Sequence, residues 1–581
     1  MPSVIVNSLA MLMVLIPSLG CALMLVWSLF GVHLTAWIWR ATTSVMLIAA
    51  CLGMVLMWPE RPSTTTVLSD LKLYSELTWV NAQSVRMAGP GVMIQLMLDR
   101  QRIPMVLASS LLFFCLSWSR RFRFLDATRL RSWLSRIMML AAMQLTMNVF
   151  LLADDIVSLF SSLMLMVLLS CGLLSSWGEA ERRRDSIEVL GNWMTSAIFA
   201  GLAMLLIAGG LASISSMQGT QTGPIDFTLS DLLLRMKRAP LADPMLANAF
   251  SQTRPLAFLA MLMSLSIWSG LFPFHRWLIT LYRQLPLELF GLMTLWLSAG
   301  LILLMSRIAL PFVGETVVTA GAIWILLSIL SIFYLSLVAL AQTELRRLLA
   351  VSIVRDLLLI LTGLLTLREL GTQASWLLAI QLTMWVTYLA TLLISLNQKF
   401  NELDTACYGG LSTTSPQWSK LWLAGVCLGY GIPLLGMFPS RALIFLSLSR
   451  IQVSGILWML FLFVASELLM SWTWWRIAAG MLWGDPRLPV ATGPVFDQLP
   501  GSIAKNSSTI RPTPATSSIL TTSIAALVFL ITATAPGLLL TYWSTASVSQ
   551  EPRSDQPLEP DLEEKAPPRN VKPAQRPEGR S

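Results

Sequence analysis

Charged residues are scarce in this chain: Asp, Glu, Lys and Arg make up 12% of its 581 residues. A soluble domain carries about 25%, so the charge is too low to cover the surface of a water-soluble enzyme of this length. Histidine is scarcer still, with two residues, and the six cysteines include no C-x-x-C pair. These shortages argue against a His/Cys metal centre and a disulfide-stabilised scaffold.

Nucleotide-binding motifs are also missing. The sequence contains no G-x-x-x-x-G-K-S/T and no G-x-G-x-x-G after a strand. The net charge of +9 could suggest a nucleic-acid partner, but the Lys and Arg residues lie between apolar runs and form no continuous basic face. Basic loops between apolar runs are typical of integral membrane proteins instead.

Long apolar runs are what the sequence has in abundance, since 55% of its residues are hydrophobic. About 20 apolar residues in a helix cross a bilayer. The sequence contains fourteen runs of about this kind, of which the third is the weakest: 5–30, 35–58, 103–118, 133–152, 156–177, 189–214, 256–274, 287–311, 316–340, 348–367, 374–396, 418–445, 453–479 and 518–543. We therefore predict an all-α polytopic transmembrane protein of about 14 helices.

Basic residues in alternate loops indicate the orientation of these spans, because Lys and Arg concentrate on the cytoplasmic side. Arginines follow the third and fifth runs and precede the tenth: Arg120, Arg121, Arg123, Arg129, Arg131, Arg182, Arg183, Arg184, Arg346 and Arg347. The acidic turn 153–155 falls on the opposite side, whereas Arg235, Lys237 and Arg238 in the outer loop 215–254 depart from the pattern. The best fit places both termini outside.

Two segments differ in composition from the apolar runs. Residues 481–517 are rich in proline and predict an irregular loop. Residues 544–581 combine many charged residues and prolines with few apolar residues, which is typical of a disordered tail. Between them, 518–543 is the final predicted span.

Two spans are interrupted by helix-breaking residues. The seventh contains Ser269–His275, with Pro273, and the twelfth contains Gly429–Arg441, with Gly431 and Pro433. Interrupted helices in corresponding positions of two halves are typical of transporters, where they lie beside an ion or substrate path. An ordinary proline kink without a transport role is the alternative.

Four stretches of the sequence resemble motifs of one membrane-protein family. Phe272–Leu278 is similar to F-P-x-H-x-W-L, and Ala341–Ser352 is similar to Q-T-D-I-K-R-x-L-A-Y-S. Gly431–Arg441 resembles G-I-P-P-L-x-G-F-x-S-K, and Leu152–Asp155 resembles L-A-D-N. These are motifs of the antiporter-like membrane subunits of respiratory complex I (chain L, M and N type, the long chain L type most of all) and of the related multisubunit cation/proton antiporters. The resemblance covers about residues 90–480.

The resemblance implies a fold for this chain and assigns the redox chemistry to partner subunits. The fold would contain two inverted five-helix repeats, each with one broken helix. Residues 1–118 would then form N-terminal spans, 119–285 the start of the first repeat, and 286–480 the rest of the first repeat and the second repeat. The chain itself would hold no cofactor, since partner subunits of such a complex handle NADH and quinone.

Most proton-path residues of the family are replaced in this sequence. Met164 stands at the fifth-span Glu position, Trp268 at the seventh-span Lys position and Leu292 at the eighth-span His position. The eleventh span has no lysine around 381–388, and the twelfth-span cation survives as Arg441. Because arginine keeps its proton at physiological pH, we expect Arg441 to act as a fixed charge and not as a relay.

Other ionisable residues within the spans are candidates for a proton or ion path, because such residues are costly in a membrane. Glu467 lies midway along the thirteenth span. It is expected either to be functional or to pair with a structural arginine such as Arg441. His275, at the first break, has a side chain that titrates near neutral pH. It is a candidate relay, with a structural or gating role as the alternative.

Three further candidates lie near span ends. Arg355 and Asp356 are adjacent on the tenth span. Adjacent residues on a helix do not face each other, so each is expected to have its own partner, in a structural pair or at a lipid headgroup. Glu288, at the entrance of the eighth span, is expected to pair with Arg283 or to lie at the membrane interface.

The sequence thus predicts a multi-pass subunit of the inner (plasma) membrane in a proton-translocating NADH–quinone oxidoreductase. It would contribute to ion translocation coupled to electron transfer in partner subunits. One alternative is a subunit of a cation/proton antiporter or of an inorganic-carbon uptake complex, and another is a degenerate scaffold that conducts no ions. The expected partners are other membrane subunits and the lipid bilayer, without nucleic acid.

Overall fold

A computed structural model describes most of the apolar part of the chain. The described residues are 2–27, 32–56, 96, 102–118, 130–176, 180–217, 229, 244–400, 402–431, 436–451, 455–485 and 487. The predicted span 518–543, the predicted tail 544–581, most of the predicted loop 481–517 and Pro433 lie outside these residues.

Within the described ranges the regular structure is helical, with three isolated β-bridges and no strand. The sixteen α-helices are α1 (Pro2–Trp27), α2 (Val32–Leu56), α3 (Ile103–Trp118), α4 (Leu130–Leu152), α5 (Ile156–Ser176), α6 (Ala180–Met217), α7 (Pro244–Ser269), α8 (Arg276–Gln284), α9 (Phe290–Leu303), α10 (Leu310–Leu340), α11 (Leu345–Leu365), α12 (Glu369–Phe400), α13 (Leu411–Thr414), α14 (Pro416–Val426), α15 (Phe438–Ser449) and α16 (Ile456–Trp483). A π-helical turn continues α9 over Leu304–Ala309 and α14 over Cys427–Gly431.

Ten helical segments in the described part of the chain are long and apolar enough to cross a membrane. Three shorter apolar helices accompany them: α3, the Pro255–Ser269 part of α7, and α15. These thirteen segments correspond to the first thirteen apolar runs of the sequence, which confirms an all-α polytopic membrane protein. Two of these segments, Pro255–Ser269 and α15, adjoin the two predicted breaks.

Helix α11 lies at the centre of the described structure. Every residue of it from Leu348 to Leu365 is buried, and it packs against α7, α8, α9, α10, α12 and α15. By contrast, no more than a third of the apolar window of α1, α2 or α16 is buried. Arg355 and Asp356 of α11 are therefore enclosed by protein, whereas the outer helices present apolar faces suited to lipid or to partner subunits.

Both predicted breaks are present. At the first, α7 ends at Ser269, Gly270 has a φ of 75°, and α8 begins at Arg276. At the second, the π turn after α14 ends at Gly431, and the chain re-enters α15 through Gly436, whose φ is 62°. The inverted relation of the two repeats and the division at 118 and 285 stay predictions.

The turn between α4 and α5 is held by buried polar contacts. Arg102 donates to Ala153 O at 3.0 Å, and its Nη2 lies 3.5 Å from Asp154 Oδ1. Burial raises the pKa of Asp154, and the nearby charge of Arg102 opposes this shift. Asp155 caps α5, since its carboxylate accepts from both the backbone N–H and the hydroxyl of Ser158 at 2.5 Å. The L-A-D-N-like stretch is therefore a structural anchor.

Replacing Asp155 with Ala is expected to destabilise the chain by about 1–2 kcal/mol, because it removes the acceptor that caps α5. Thermal unfolding of the full chain in detergent measures this loss. A matched control is Asp485→Ala, since Asp485 is 88% exposed and 3.7 Å from Arg487, and such pairs contribute less than about 1 kcal/mol. Equal effects of the two variants would contradict a capping role.

Candidate functional site: a buried charge cluster at the second break

Four charged side chains from three helices meet beside the second break. They are Arg355 and Asp356 of α11, Arg441 of α15 and Glu467 of α16. Arg355 and Asp356 are fully buried, Arg441 is 6% exposed and Glu467 is 22% exposed. Two guanidinium groups and two carboxylates give the cluster a formal charge of zero, which is how a protein interior accommodates ions.

Arg355 is the hub of this charge cluster. Its Nη1 donates to Asp356 Oδ1 at 2.9 Å, its Nη2 donates to Glu467 Oε1, and its Nε donates to Ser336 Oγ at 3.1 Å. The prediction that Arg355 and Asp356 do not face each other is therefore wrong. The long arginine side chain turns back to the neighbouring carboxylate, although each residue also has the separate partner that was expected.

Arg441 holds the other side of Asp356. Its Nη2 donates to Asp356 Oδ2 at 2.8 Å, and its Nη1 donates to Gly429 O at 2.9 Å. The same Nη1 lies 3.7 Å from Glu467 Oε2. Arg441 thus links a carbonyl of the broken helix to both acidic residues, and Glu467 pairs with two arginines instead of one.

Tyr430 ties the break to the charge cluster, and sequence reasoning missed it. Its hydroxyl donates to Asp356 Oδ2 at 2.9 Å, and its ring centroid lies 4.1 Å from the Arg441 guanidinium carbon. Its own carbonyl accepts from Ser471 Oγ at 2.8 Å. The available signal was its position between Gly429 and Gly431 in a chain with seven tyrosines.

A cavity of about 490 Å³ adjoins the charge cluster between the second break, α15 and α16. Arg441, Glu467 and Tyr430 are among its lining residues, together with several aromatic side chains. Glu467 is the most exposed of the four charged groups. It therefore lies between the paired interior of the cluster and a space that a small molecule can enter.

The other two candidates lie elsewhere in the described structure. His275 is half-buried at the first break, where its ring centroid is 5.3 Å from that of Tyr334 and stacks on Phe272 at 6.0 Å. Its Nδ1 has no hydrogen-bond partner among the described residues. Glu288 is half-buried in the turn Leu287–Leu289 before α9. Its predicted pairing with Arg283 stays a prediction.

Apolar side chains occupy the positions where the family has ionisable groups. Trp268 is fully buried, donates to Leu297 O at 2.8 Å, and packs edge-on against Trp193 and Trp296 at 5.7 Å. Leu292 is a buried residue of α9, and Met164 is a half-buried residue of α5. These three positions therefore offer no group that can exchange a proton.

Comparison with known proteins identifies the family. Residues 153–469 match the family described as "NADH:quinone oxidoreductase/Mrp antiporter, TM", and this match covers more than half of the chain. The chain belongs to this family. The match includes both breaks, all of α11 and all four residues of the charge cluster, so the resemblance inferred from the sequence motifs is confirmed.

Curated relatives of this chain include NADH-quinone oxidoreductase M subunits. That of Pseudomonas aeruginosa is 25% identical over 288 residues, covering 48% of this chain and 52% of the relative. Those of Rickettsia prowazekii and Escherichia coli K12 are 22% and 24% identical, covering 48% and 46% of this chain and 52% and 48% of the relatives. The chain thus spans about half the length of the curated relatives it matches, and these are M-type subunits, whereas the motifs pointed most to chain L.

Solved structures share the fold over nearly the whole chain. One is the membrane-bound sulfane sulfur reductase, an archaeal respiratory membrane complex, with a TM-score of 0.69, 16% identity and coverage of 93% and 97% of the two chains. A second is respiratory complex I from Thermus thermophilus, with a TM-score of 0.64 and 18% identity, covering 93% of this chain and 99% of the matched chain. A third is the Mrp complex from Dietzia sp. DQ12-45-1b, with a TM-score of 0.63 and 16% identity, covering 94% of this chain and 98% of the matched chain. All three are structures of multisubunit complexes, and one chain of each shares the fold of this chain.

Proposed function

We propose that this chain is a membrane subunit of a proton-translocating NADH–quinone oxidoreductase or a closely related complex. It would lie in the inner (plasma) membrane with both termini outside and would contribute to ion translocation. Partner subunits would carry NADH, quinone and the redox groups, while this chain would have no cofactor of its own. Family membership and the M-type relatives support this proposal.

The observation that carries the proposal is the accessible carboxylate of the charge cluster. Glu467 borders the cavity and is bonded to Arg355, which also binds Asp356. Because neither arginine gives up its proton, Glu467 and Asp356 are the groups of the cluster that can gain or lose one. A proton taken up by Glu467 raises the formal charge of the cluster from zero to +1.

That change in charge alters the pairing inside the cluster. Protonated Glu467 releases its ionic hold on Arg355, and both guanidinium groups then compete for Asp356. Tyr430 bonds to Asp356 and reaches the broken helix through its backbone, so a shift at Asp356 acts on the break. These contacts support a link between protonation at the cavity and the position of a discontinuous helix, which ion translocation would use.

Two alternatives rest on particular observations. The complete pairing of the four charges favours a scaffold subunit that conducts no ions, since a balanced buried cluster can serve structure alone. The structural similarity to the Mrp complex favours a subunit of a cation/proton antiporter. The flux experiment below separates the scaffold from the two translocating functions, and exchange of Na⁺ or K⁺ for protons would identify the antiporter.

Replacing Glu467 with Gln in the intact complex, reconstituted in vesicles, is expected to lower proton translocation by roughly tenfold or more. The neutral amide keeps the shape of the side chain but cannot exchange a proton. Proton uptake is measured with an internal pH-sensitive dye while NADH-driven quinone reduction is recorded in the same sample.

Two further variants make this result interpretable. Glu344→Gln is the matched control, because Glu344 is an exposed partner of Arg347 outside the cluster. Glu467→Asp keeps a titratable carboxylate and should retain part of the flux. If Glu467→Gln assembles normally and translocates protons like the native complex, this chain does not conduct through the charge cluster and the scaffold function gains support.

A further inference from the structure

The cavity beside the charge cluster opens at the outer surface of the described structure. Three of its lining side chains are exposed: Leu468 by 66%, and Val464 and Phe438 by 43% each. They belong to α15 and α16, and Glu467 is close to the middle of the 28-residue helix α16. The mouth therefore lies at membrane depth, where it is reached from the bilayer and not from bulk water.

Five aromatic side chains contribute to the wall of the cavity. Tyr430, Phe438, Phe445, Phe463 and Trp475 all line it. Aromatic ring faces carry partial negative charge and attract cations, most strongly where water is excluded. The volume of about 490 Å³ is in the range of sites for small organic molecules.

Of the two charged side chains that line this space, the carboxylate is the more exposed. Glu467 is 22% exposed, whereas Arg441 is 6% exposed. The guanidinium group of Arg441 is already covered by the Tyr430 ring and donates to Asp356 and Gly429. An occupant entering from the bilayer thus meets a carboxylate in a cavity that is also lined by aromatic rings, and carboxylates and aromatic faces both attract organic cations.

We propose that this cavity binds a bilayer-soluble organic cation, with its positive charge against Glu467 and its apolar body among Phe438, Phe445 and Phe463. The site combines a lateral apolar entrance, an aromatic wall and a single accessible carboxylate. The chemical class is a protonated amine or onium group on a hydrophobic body. Binding requires no turnover, so this site is independent of whether the chain translocates protons.

A pair of probes with the same shape and opposite charge tests this site. Tetraphenylphosphonium and tetraphenylborate are applied separately to the full chain in lipid nanodiscs, and partition into empty nanodiscs is subtracted. We expect saturable binding of one tetraphenylphosphonium per chain and none of tetraphenylborate. Arg441 Nε has no hydrogen-bond partner among the described residues, so saturable binding of the anion instead would overturn the proposal in favour of a site governed by Arg441.

Variants locate the site. Glu467→Gln is expected to weaken tetraphenylphosphonium binding roughly tenfold or more. Phe438→Leu, at the exposed mouth, leaves the charge cluster intact and should weaken binding roughly threefold through the lost ring face. Because Phe438→Leu does not alter the buried charges, binding to this variant still tests the proposal if Glu467→Gln fails to fold.

The matched controls are Glu344→Gln and Trp458→Leu. Glu344 is an exposed acidic residue outside the cavity, and Trp458 is a 73% exposed aromatic residue of α16 that does not line it. Both should bind the cation like the native chain. Absence of saturable binding, or unchanged binding in both Glu467→Gln and Phe438→Leu, would show that the cavity is not a cation site.

Discussion

Replacing Arg355 with Met is expected to destabilise the folded chain by about 3–5 kcal/mol, because it leaves a buried charge without compensation. Methionine has a similar length and is apolar, so the change removes charge and hydrogen bonds with little loss of packing volume. Asp356 and Glu467 both lose a partner, and Arg441 alone must then balance two carboxylates. The described cluster changes from a formal charge of zero to −1.

Unfolding of the full chain in detergent, followed by circular dichroism, measures this effect. The matched control is Arg347→Met, two turns earlier on the same helix. Arg347 is 47% exposed and pairs at 2.8 Å with Glu344, and exposed pairs contribute about 0–1 kcal/mol. A difference of less than about 1 kcal/mol between the two variants would show that charge pairing does not stabilise the cluster.

A double variant separates charge from shape. Combining Arg355→Met with Glu467→Gln removes one positive and one negative charge and restores neutrality around Asp356 and Arg441. If the cost of the single variant comes from uncompensated charge, the double variant should be more stable than Arg355→Met alone. If the cost comes from the lost shape of the side chain, the losses of stability caused by the two single substitutions should add in the double variant.

The overall fold could be predicted from the sequence because its signal is local. A run of apolar residues near 20 in number specifies a membrane helix wherever it occurs, and thirteen predicted runs coincide with described helices. The breaks could also be predicted from the sequence, because glycine and proline change the backbone conformation at their own positions. Gly270 at the first break and Gly431 at the second illustrate this local effect.

The assembly of the charge cluster could not be predicted in the same way. Each charged member was noticed because a charge inside an apolar run is rare. Their contacts, however, join residues 85 and 112 positions apart in the chain, and no local pattern encodes which buried charges meet. The rule for adjacent helical residues describes the directions in which their Cβ atoms point. The long side chain of Arg355 can bend back and contact Asp356 although the two Cβ atoms point apart.

Tyr430 shows a second reason for incomplete prediction. A tyrosine in a membrane helix usually indicates an interfacial position, and its sequence neighbours gave no partner for its hydroxyl. Only the packing of the broken helix against α11 brings that hydroxyl to Asp356. For Trp268 the sequence revealed the replacement of a lysine, but not that the indole would be fully buried and bonded to a helix carbonyl.

Contacts of the cluster with the second break make backbone geometry there important for the whole site. Gly429 O accepts from Arg441, Tyr430 bonds to Asp356, and Leu428 O accepts from Met437 N at 3.0 Å. Three successive residues of the π turn are therefore engaged. The chain must return from this turn to α15 within a few residues, which demands an unusual backbone conformation.

Replacing Gly436 with Ala is expected to destabilise the chain by at least about 2 kcal/mol and to distort the charge cluster. Gly436 has a φ of 62°, a left-handed conformation that costs an L-residue about 1–2 kcal/mol. An added Cβ would also lie 2.6 Å from the carbonyl carbon of Leu428 and closer still to its oxygen. Because these are backbone atoms, no side-chain rotation relieves the clash, and the π turn that carries Gly429 and Tyr430 must move.

Gly480→Ala is the matched control for this prediction. Gly480 lies within α16, and nothing stands within 4 Å of the position where its Cβ would be. There the same chemical change should be neutral or stabilising by about 0.5–1 kcal/mol. Unfolding of both variants in detergent measures the difference in stability, and binding of tetraphenylphosphonium to the cavity reports on the geometry beside the break. If Gly436→Ala unfolds like Gly480→Ala, the close backbone approach at the second break is absent, and the link between the broken helix and the buried charges fails with it.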